Sequence, residues 1–214
     1  MKPKTKALFI GDNAQAPYHP LQPVRQEMLS ILEEAFEVDA TDEYGYFSLE
    51  TLKRYELLIS YTDRWNEALS SQQTADLLTY VSQGGGLLVI HNGISLQARP
   101  ELSQLIGARF TGHPPYQELP FRVSAAEHEI MKGISAFDMD EEPYQFEFDP
   151  FTKRETLLEY ELDGKKHPAA WVHPFGLGRV VFLMPGHHLH SFKHLEFRKL
   201  IVQGARFAAN PSVG

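Results

Sequence analysis

Gly84-Gly85-Gly86-Leu87-Leu88-Val89-Ile90-His91-Asn92-Gly93 is the stretch that decides the fold. Its glycines stop the helix-patterned segment before them and serve as C-cap and turn. Residues 87–91 then read as a central parallel strand, apolar because both faces are covered. The strand ends in a polar residue, and a glycine follows two positions later. That is the pattern of a nucleophile elbow, a sharp strand-to-helix turn that lifts one side chain above the sheet and tolerates only a small residue nearby. The lifted residue is His91, with Asn92 next in line. The plainer alternative is a histidine that ends a strand and a glycine that turns the chain.

Upstream, residues 7–11 read as a buried first strand. Residues 22–36 carry Val24, Met28, Ile31 and Leu32 at helical spacing, and residues 38–40 form a short second strand. Residues 48–54 predict a helical turn with Ser48 as its N-cap. Residues 56–61 are a third strand, and 70–82 a helix with Thr74, Leu77, Leu78 and Val81 on one stripe. Alternating strands and helices imply right-handed βαβ units and a doubly wound sheet. Downstream the pattern changes. Residues 100–106 form a short helix, and 121–123, 144–148 and 157–160 are strand-like. Asp163-Gly164 marks a hairpin. Residues 169–172 and 179–184 are two more strands, and 194–209 a closing helix. This predicts one domain over residues 1–214, α/β, with a mostly parallel sheet and an added antiparallel portion.

The 214 residues are 43% hydrophobic and 22% charged, and none is cysteine. Disulfides, thiolate nucleophiles and cysteine-based zinc sites are therefore excluded. A net charge of −8 argues against nucleic acid, whose phosphates need Lys and Arg, and against anionic membranes. The start Met1-Lys2-Pro3-Lys4-Thr5-Lys6 is basic, but the apolar run behind it is too short for a secretory signal. The expected compartment is the cytoplasm. A homodimer is the default assembly, as the commonest closed oligomer.

In open α/β sheets ligands bind beyond the carboxyl ends of the strands. The polar residues placed there are Asp12 and Asn13 with Tyr18-His19, Thr62-Asp63-Arg64-Trp65, His91-Asn92, and Gly186-His187. Two further sets are Phe110-Thr111-Gly112-His113 and Asp140-Glu141-Glu142-Pro143-Tyr144. Four of the ten histidines fall at His187, His188, His190 and His194. Histidine serves as metal ligand, general base or pH-tuned surface group. Adjacent carboxylates such as Glu141-Glu142 form solvated loops, bind hydroxyls, hold a divalent metal or transfer protons.

In order and spacing these segments resemble the trehalose-utilisation (ThuA-like) family, a branch of the class I glutamine-amidotransferase-like superfamily. The pieces are Leu8-Phe9-Ile10-Gly11-Asp12-Asn13 with Tyr18-His19-Pro20, the Gly84 to Gly93 stretch, Phe110-Thr111-Gly112-His113-Pro114, His128-Glu129-Ile130 with Gly133-Ile134, Glu141-Glu142-Pro143-Tyr144, and Gly176-Leu177-Gly178-Arg179-Val180 through Pro185-Gly186-His187 to Ala205-Arg206-Phe207-Ala208-Ala209. The resemblance implies a flavodoxin-like three-layer α/β/α fold and a link to disaccharide or keto-sugar catabolism. Amidotransferases place a cysteine at the elbow. This chain has none, so glutamine hydrolysis through a thioester is excluded.

The functional reading is an enzyme of carbohydrate metabolism using His/Glu acid–base chemistry on a small sugar or sugar derivative, as an isomerase, lyase or glycoside-type hydrolase. His91, Glu142 and His187 are its candidate catalytic residues. Asp12, His19, Trp65, Asn92, His113 and Tyr144 are its candidate substrate contacts. A divalent ion such as zinc, held by two or three histidines and a carboxylate, is compatible with this set. One alternative is a non-catalytic sugar-binding or scaffold domain. Another is a serine hydrolase using Ser95 or Ser60, neither of which stands at the elbow.

Overall fold

The computed structural model describes residues 4–14 and 16–210. Of the basic start, Met1-Lys2-Pro3 lies outside the described residues. In chain order the elements are β1 (Thr5–Gly11), α1 (Leu21–Leu32), β2 (Phe36–Thr41), α2 (Leu49–Leu52), β3 (Leu57–Tyr61), α3 (Ser71–Ser82), β4 (Gly86–Ile90) and α4 (Pro100–Ile106). There follow β5 (Ala108–Gly112), β6 (Gln117–Val123), β7 (Phe137–Glu141), β8 (Gln145–Phe148), β9 (Glu155–Leu162), β10 (Lys165–Phe175), β11 (Gly178–Leu183), α5 (Leu189–Lys193) and α6 (Leu195–Ala209).

Nine strands form one sheet in the order β2-β1-β3-β4-β11-β10-β9-β6-β7, while β5 and β8 pair separately. The run from β2 to β11 is parallel, and its order is that of a flavodoxin-like doubly wound sheet. The rest is antiparallel. Helices α1 and α6 pack together on one face, and α3 and α4 together on the other. Leu87, Leu88, Val89 and Ile90 are fully buried between these layers. Burial of each such side chain contributes about 1.5–3 kcal/mol.

Local chemistry sets the boundaries. Ser48 accepts from the Thr51 amide and caps α2. Ser70 and Gln73 form a reciprocal capping box at the start of α3. Asp163 and Gly164 have φ of 50° and 71°, as a two-residue hairpin turn between β9 and β10 requires.

Three expectations need correction. The helix read over residues 22–36 ends at Leu32, because Phe36 is already a strand residue, paired with Thr5 and buried. Tyr144 precedes β8 rather than opening it. Phe137-Asp138-Met139-Asp140-Glu141, dense in carboxylates, is a strand whose inward residues are Phe137, Met139 and Glu141. Among the described residues no helix is long and apolar enough to cross a membrane.

Close approach explains Gly93. A Cβ there would stand 2.2 Å from the Ser60 carbonyl oxygen and 2.9 Å from its carbon. Backbone cannot yield as a flexible side chain can. Gly93→Ala is expected to cost about 1–3 kcal/mol by overpacking, read as a lower urea midpoint. An unchanged midpoint would show that β3 and the elbow are not locked together.

Candidate functional site

β4 delivers His91 to the elbow. Its φ is 46°, a left-handed conformation that non-glycine residues rarely adopt, and the chain passes directly into a 3-10 helix over His91–Ala98. Parallel strands carry their next residues to the same rim: β1 leads to Asp12 and His19, β3 to Asp63, β11 to Met184 and His187. Four successive antiparallel pairings separate β11 from β7. β7 therefore runs in the direction of β11 and brings Glu141 and Glu142 to that rim as well.

There His19, His91, Glu142 and His187 converge, with one ligating atom from each within 4.8 Å of the others. Glu142 Oε2 lies 3.1 Å from His187 Nδ1, 3.3 Å from His91 Nε2 and 3.9 Å from His19 Nε2. His19 Nε2 and His187 Nδ1 are 2.8 Å apart. His91 is fully buried, and His19 and His187 are nearly so.

The outer nitrogens determine what the inner ones present. His91 Nδ1 is 2.6 Å from the Met184 carbonyl, which only accepts. Nδ1 therefore carries the proton, and Nε2 of the neutral ring turns a lone pair toward Glu142. His19 Nδ1 is 3.2 Å from Asp63 Oδ2, within ion-pair reach though not aligned as a hydrogen bond. Asp63 is itself fixed by Trp65 Nε1 at 2.8 Å. Backing of ligating imidazoles by a carbonyl or carboxylate is how metal sites set tautomer and ring orientation.

Burial disfavours charge on His91, and the neighbouring His19 and His187 add to this against Glu142 and the Met184 carbonyl; the ring is pushed down to about 3. Glu142 also feels burial, but His187 and, once its ring is protonated, His91 outweigh it and hold its carboxyl well below the ordinary value. Glu141 is fully buried, which pushes it up to about 7 against the bonds it accepts. Those bonds come from the Gly186 amide at 2.8 Å, the His187 amide at 3.3 Å and the Ser191 hydroxyl. Glu141 thus ties the His187 loop to the strand that supplies Glu142.

The remaining predicted residues divide. His113 stands at the solvent side, its side chain 34% exposed and its Nε2 3.6 Å from Glu142 Oε1. Tyr144 is buried and stacks on His91 at 4.1 Å between ring centroids, so its ring is a wall of the cluster. Trp65 contacts Asp63 and packs on Phe110 at 5.1 Å. Asp12 and Asn92 are turned away from the cluster. Asp12 accepts from Tyr44, Arg64 and the Asp63 amide. Asn92 is fully buried and donates to the Tyr61 and Thr62 carbonyls. Both hold the β1, β3 and β4 ends together, and Asn92 Oδ1 is buried without a hydrogen-bond partner. Ser60 and Ser95 are buried on Thr62, and among the described residues no imidazole is hydrogen-bonded to either, which argues against the serine reading. Asp63 and Glu141 stand among the expected rim residues but not among the candidate catalytic or substrate-contacting ones, and Met184 among neither. Asp63 had a signal, its place just after β3, and Glu141 had one in its alternation with Phe137 and Met139. A backbone carbonyl leaves none.

Strand order, elbow and imidazole cluster together define an α/β protein with a flavodoxin-like doubly wound sheet and a histidine, His91, at its elbow. A model of the ThuA family, described as trehalose utilisation, matches residues 6–208, and the chain belongs to that family, which places it in carbohydrate metabolism. It is similar to a protein described as ThuA-like from Parabacteroides merdae, at 19% identity over 97% of this chain and 90% of that one, with TM-score 0.81. A second, from Bacteroides uniformis, is 20% identical over 97% and 93%, with TM-score 0.79. A cold-adapted β-galactosidase from Rahnella sp. R3 is 14% identical over 95% of this chain but only 32% of its own, with TM-score 0.67. These likenesses show the fold. No curated protein sequence matches the chain.

The pH dependence of folding stability follows from opposed shifts. Lowered His91 contributes stability present above its ordinary 6.5 and lost as pH falls toward 3. Raised Glu141 contributes stability present below 4.5 and lost as pH rises through about 7. The two offset each other between 6.5 and 4.5. Below 4.5 Glu141 is neutral in both states, and lowered Glu142 adds its own loss. Urea unfolding should therefore show a shallow profile that steepens below pH 4.5, whereas in Glu141→Gln the decline begins near 6.5. Identical profiles for the two proteins would contradict the assignment of Glu141.

Proposed function

We propose that the chain is a metal-assisted acid–base enzyme acting on a keto-sugar or disaccharide derivative, with a divalent ion of the zinc class held by His19, His91, Glu142 and His187. The observation that carries this reading is that four electron-pair donors from four separate segments meet within 4.8 Å. Their spacings of 2.8–3.9 Å bracket the edge of a tetrahedron with bonds of about 2.0–2.1 Å, roughly 3.3 Å. Acceptors facing one another at these distances repel unless a proton or a metal ion sits among them, and the Met184 carbonyl leaves the inner nitrogen of His91 free to bind an ion. A bound ion of this kind supplies Lewis acidity toward a carbonyl or hydroxyl oxygen.

The protein's own residues supply the rest. Buried His91 is poorly placed as a solvent-facing base, so proton movement falls to His113, which reaches both solvent and the outer oxygen of Glu142. Tyr116, whose ring is 5.4 Å from His187, and Tyr18, 72% exposed, offer aromatic faces suited to the apolar side of a sugar ring. We assign the protein to the cytoplasm, as for the similar cytoplasmic protein of Salmonella typhimurium, 15% identical with TM-score 0.70.

Elemental analysis of purified protein should find about one divalent ion per chain, lost in His91→Ala and His187→Ala. Resupplied ion at about a hundred times its Kd should stabilise wild type by about 2.7 kcal/mol. With keto-disaccharides in deuterated water, NMR should show exchange at the carbon beside the carbonyl, abolished in His113→Ala with the metal retained. A wild type that neither carries nor gains stability from zinc, manganese, cobalt or nickel would sink the metal reading. Metal and sugar binding without exchange or cleavage would leave a binding domain instead.

A further inference from the structure

Four protein donors fill a tetrahedron, which is how structural zinc sites are built, whereas catalytic sites keep one position open. Before a substrate can reach an ion among His19, His91, Glu142 and His187, one of the four has to give way. They are not held alike. His91 is fully buried, and its Nδ1 lies 2.6 Å from the Met184 carbonyl. His19 is buried, and Asp63 stands 3.2 Å behind its Nδ1. His187 is buried, and its backbone amide lies 3.3 Å from both Glu141 oxygens. Its ring packs against His19 at 4.8 Å and His188 at 3.9 Å. Turning any of these rings outward would break such contacts and leave a void in close packing.

Glu142 lacks this support. Among the described residues its carboxylate meets imidazoles alone: His91, His187 and His19 through Oε2, and His113 through Oε1 at 3.6 Å. Its backbone is fixed, by contrast. The Glu142 amide is 3.3 Å from Glu141 Oε2, and the Glu142 carbonyl accepts from the Tyr144 amide at 2.8 Å. Motion is therefore confined to the side chain, which at 13% is the most exposed of the four. Its way out leads to the solvent side, where His113 stands with 34% of its side chain exposed.

We propose that Glu142 is the exchangeable member of the cluster: its carboxylate swings toward His113 and opens that side to an incoming ligand, while the three imidazoles keep the ion. This rests on the metal-assisted reading of the site. A carboxylate suits the role because it carries two equivalent oxygens, so a short rotation of the side chain changes its contacts without moving the backbone. The imidazoles offer no such freedom, since each presents one inner nitrogen from a ring fixed on its other side. The same four residues thus form a closed site at rest and an open one when Glu142 turns away.

Titration of the metal-stripped full chain with cobalt, followed by visible absorption, tests this, with azide as the probe of the open position. Glu142→Ala and the shape-preserving Glu142→Gln should still take up cobalt, binding it at least about tenfold more tightly than His91→Ala or His187→Ala does. Azide should change the spectrum of the cobalt-loaded wild type. It should bind Glu142→Ala about tenfold or more tighter, because truncation removes the closed state that competes with it. Circular dichroism checks that each variant is folded. Three results overturn the proposal and leave the metal reading standing. These are cobalt binding weakened as much in folded Glu142 variants as in His91→Ala, a wild-type spectrum that azide leaves unchanged, and equal azide affinity in wild type and Glu142→Ala. A wild type that takes up no cobalt overturns both.

Discussion

Four electron-pair donors facing one another in a nearly dry pocket is the constraint on which the site depends. His19, His91, Glu142 and His187 share that space only with a proton or a cation between their facing lone pairs. Water is largely excluded, so the repulsion is only weakly screened. The cluster persists because its members are anchored from behind. The Met184 carbonyl fixes His91, Asp63 backs His19, and Glu141 ties the Gly186-His187 loop to the end of β7. Such an arrangement is pre-organised for a cation, since little has to move when one arrives.

The fold supplies the convergence. Parallel order 2-1-3-4 with β11 beside β4 puts five strand ends on one rim, and the antiparallel extension returns β7 to the same rim. At the elbow, His91 takes a backbone conformation that the surrounding structure must over-determine. Gly93 permits this by letting the turn lie against the Ser60 carbonyl. Local strain at β4 and close packing at β3 are two sides of the same device, and it presents the His91 imidazole to the rim.

The sheet and much of this cluster were legible in the sequence because their signals are local. An apolar run closed by glycine reads as a central strand, and residues directly after strands read as rim residues. That reasoning reached His19, His91, Glu142 and His187 without any contact information. It failed where a polar residue serves the interior. Glu141 faces inward on a strand whose outward neighbours are Asp138 and Asp140, so the segment reads as an acidic loop. Asp12 and Asn92 sit at rim positions but spend their hydrogen bonds on backbone and on Arg64. Direction along a strand end is set by neighbours distant in sequence, and no periodicity encodes it.

The central claim is that one cation belongs among these four side chains. Anomalous diffraction from crystals of zinc-loaded protein, recorded on both sides of the zinc edge, tests it most directly. The account predicts a single peak at bonding distance, about 2.0–2.2 Å, from His19 Nε2, His91 Nε2, Glu142 Oε2 and His187 Nδ1. Imidazoles that splay apart around water, with no anomalous density between them, would contradict it.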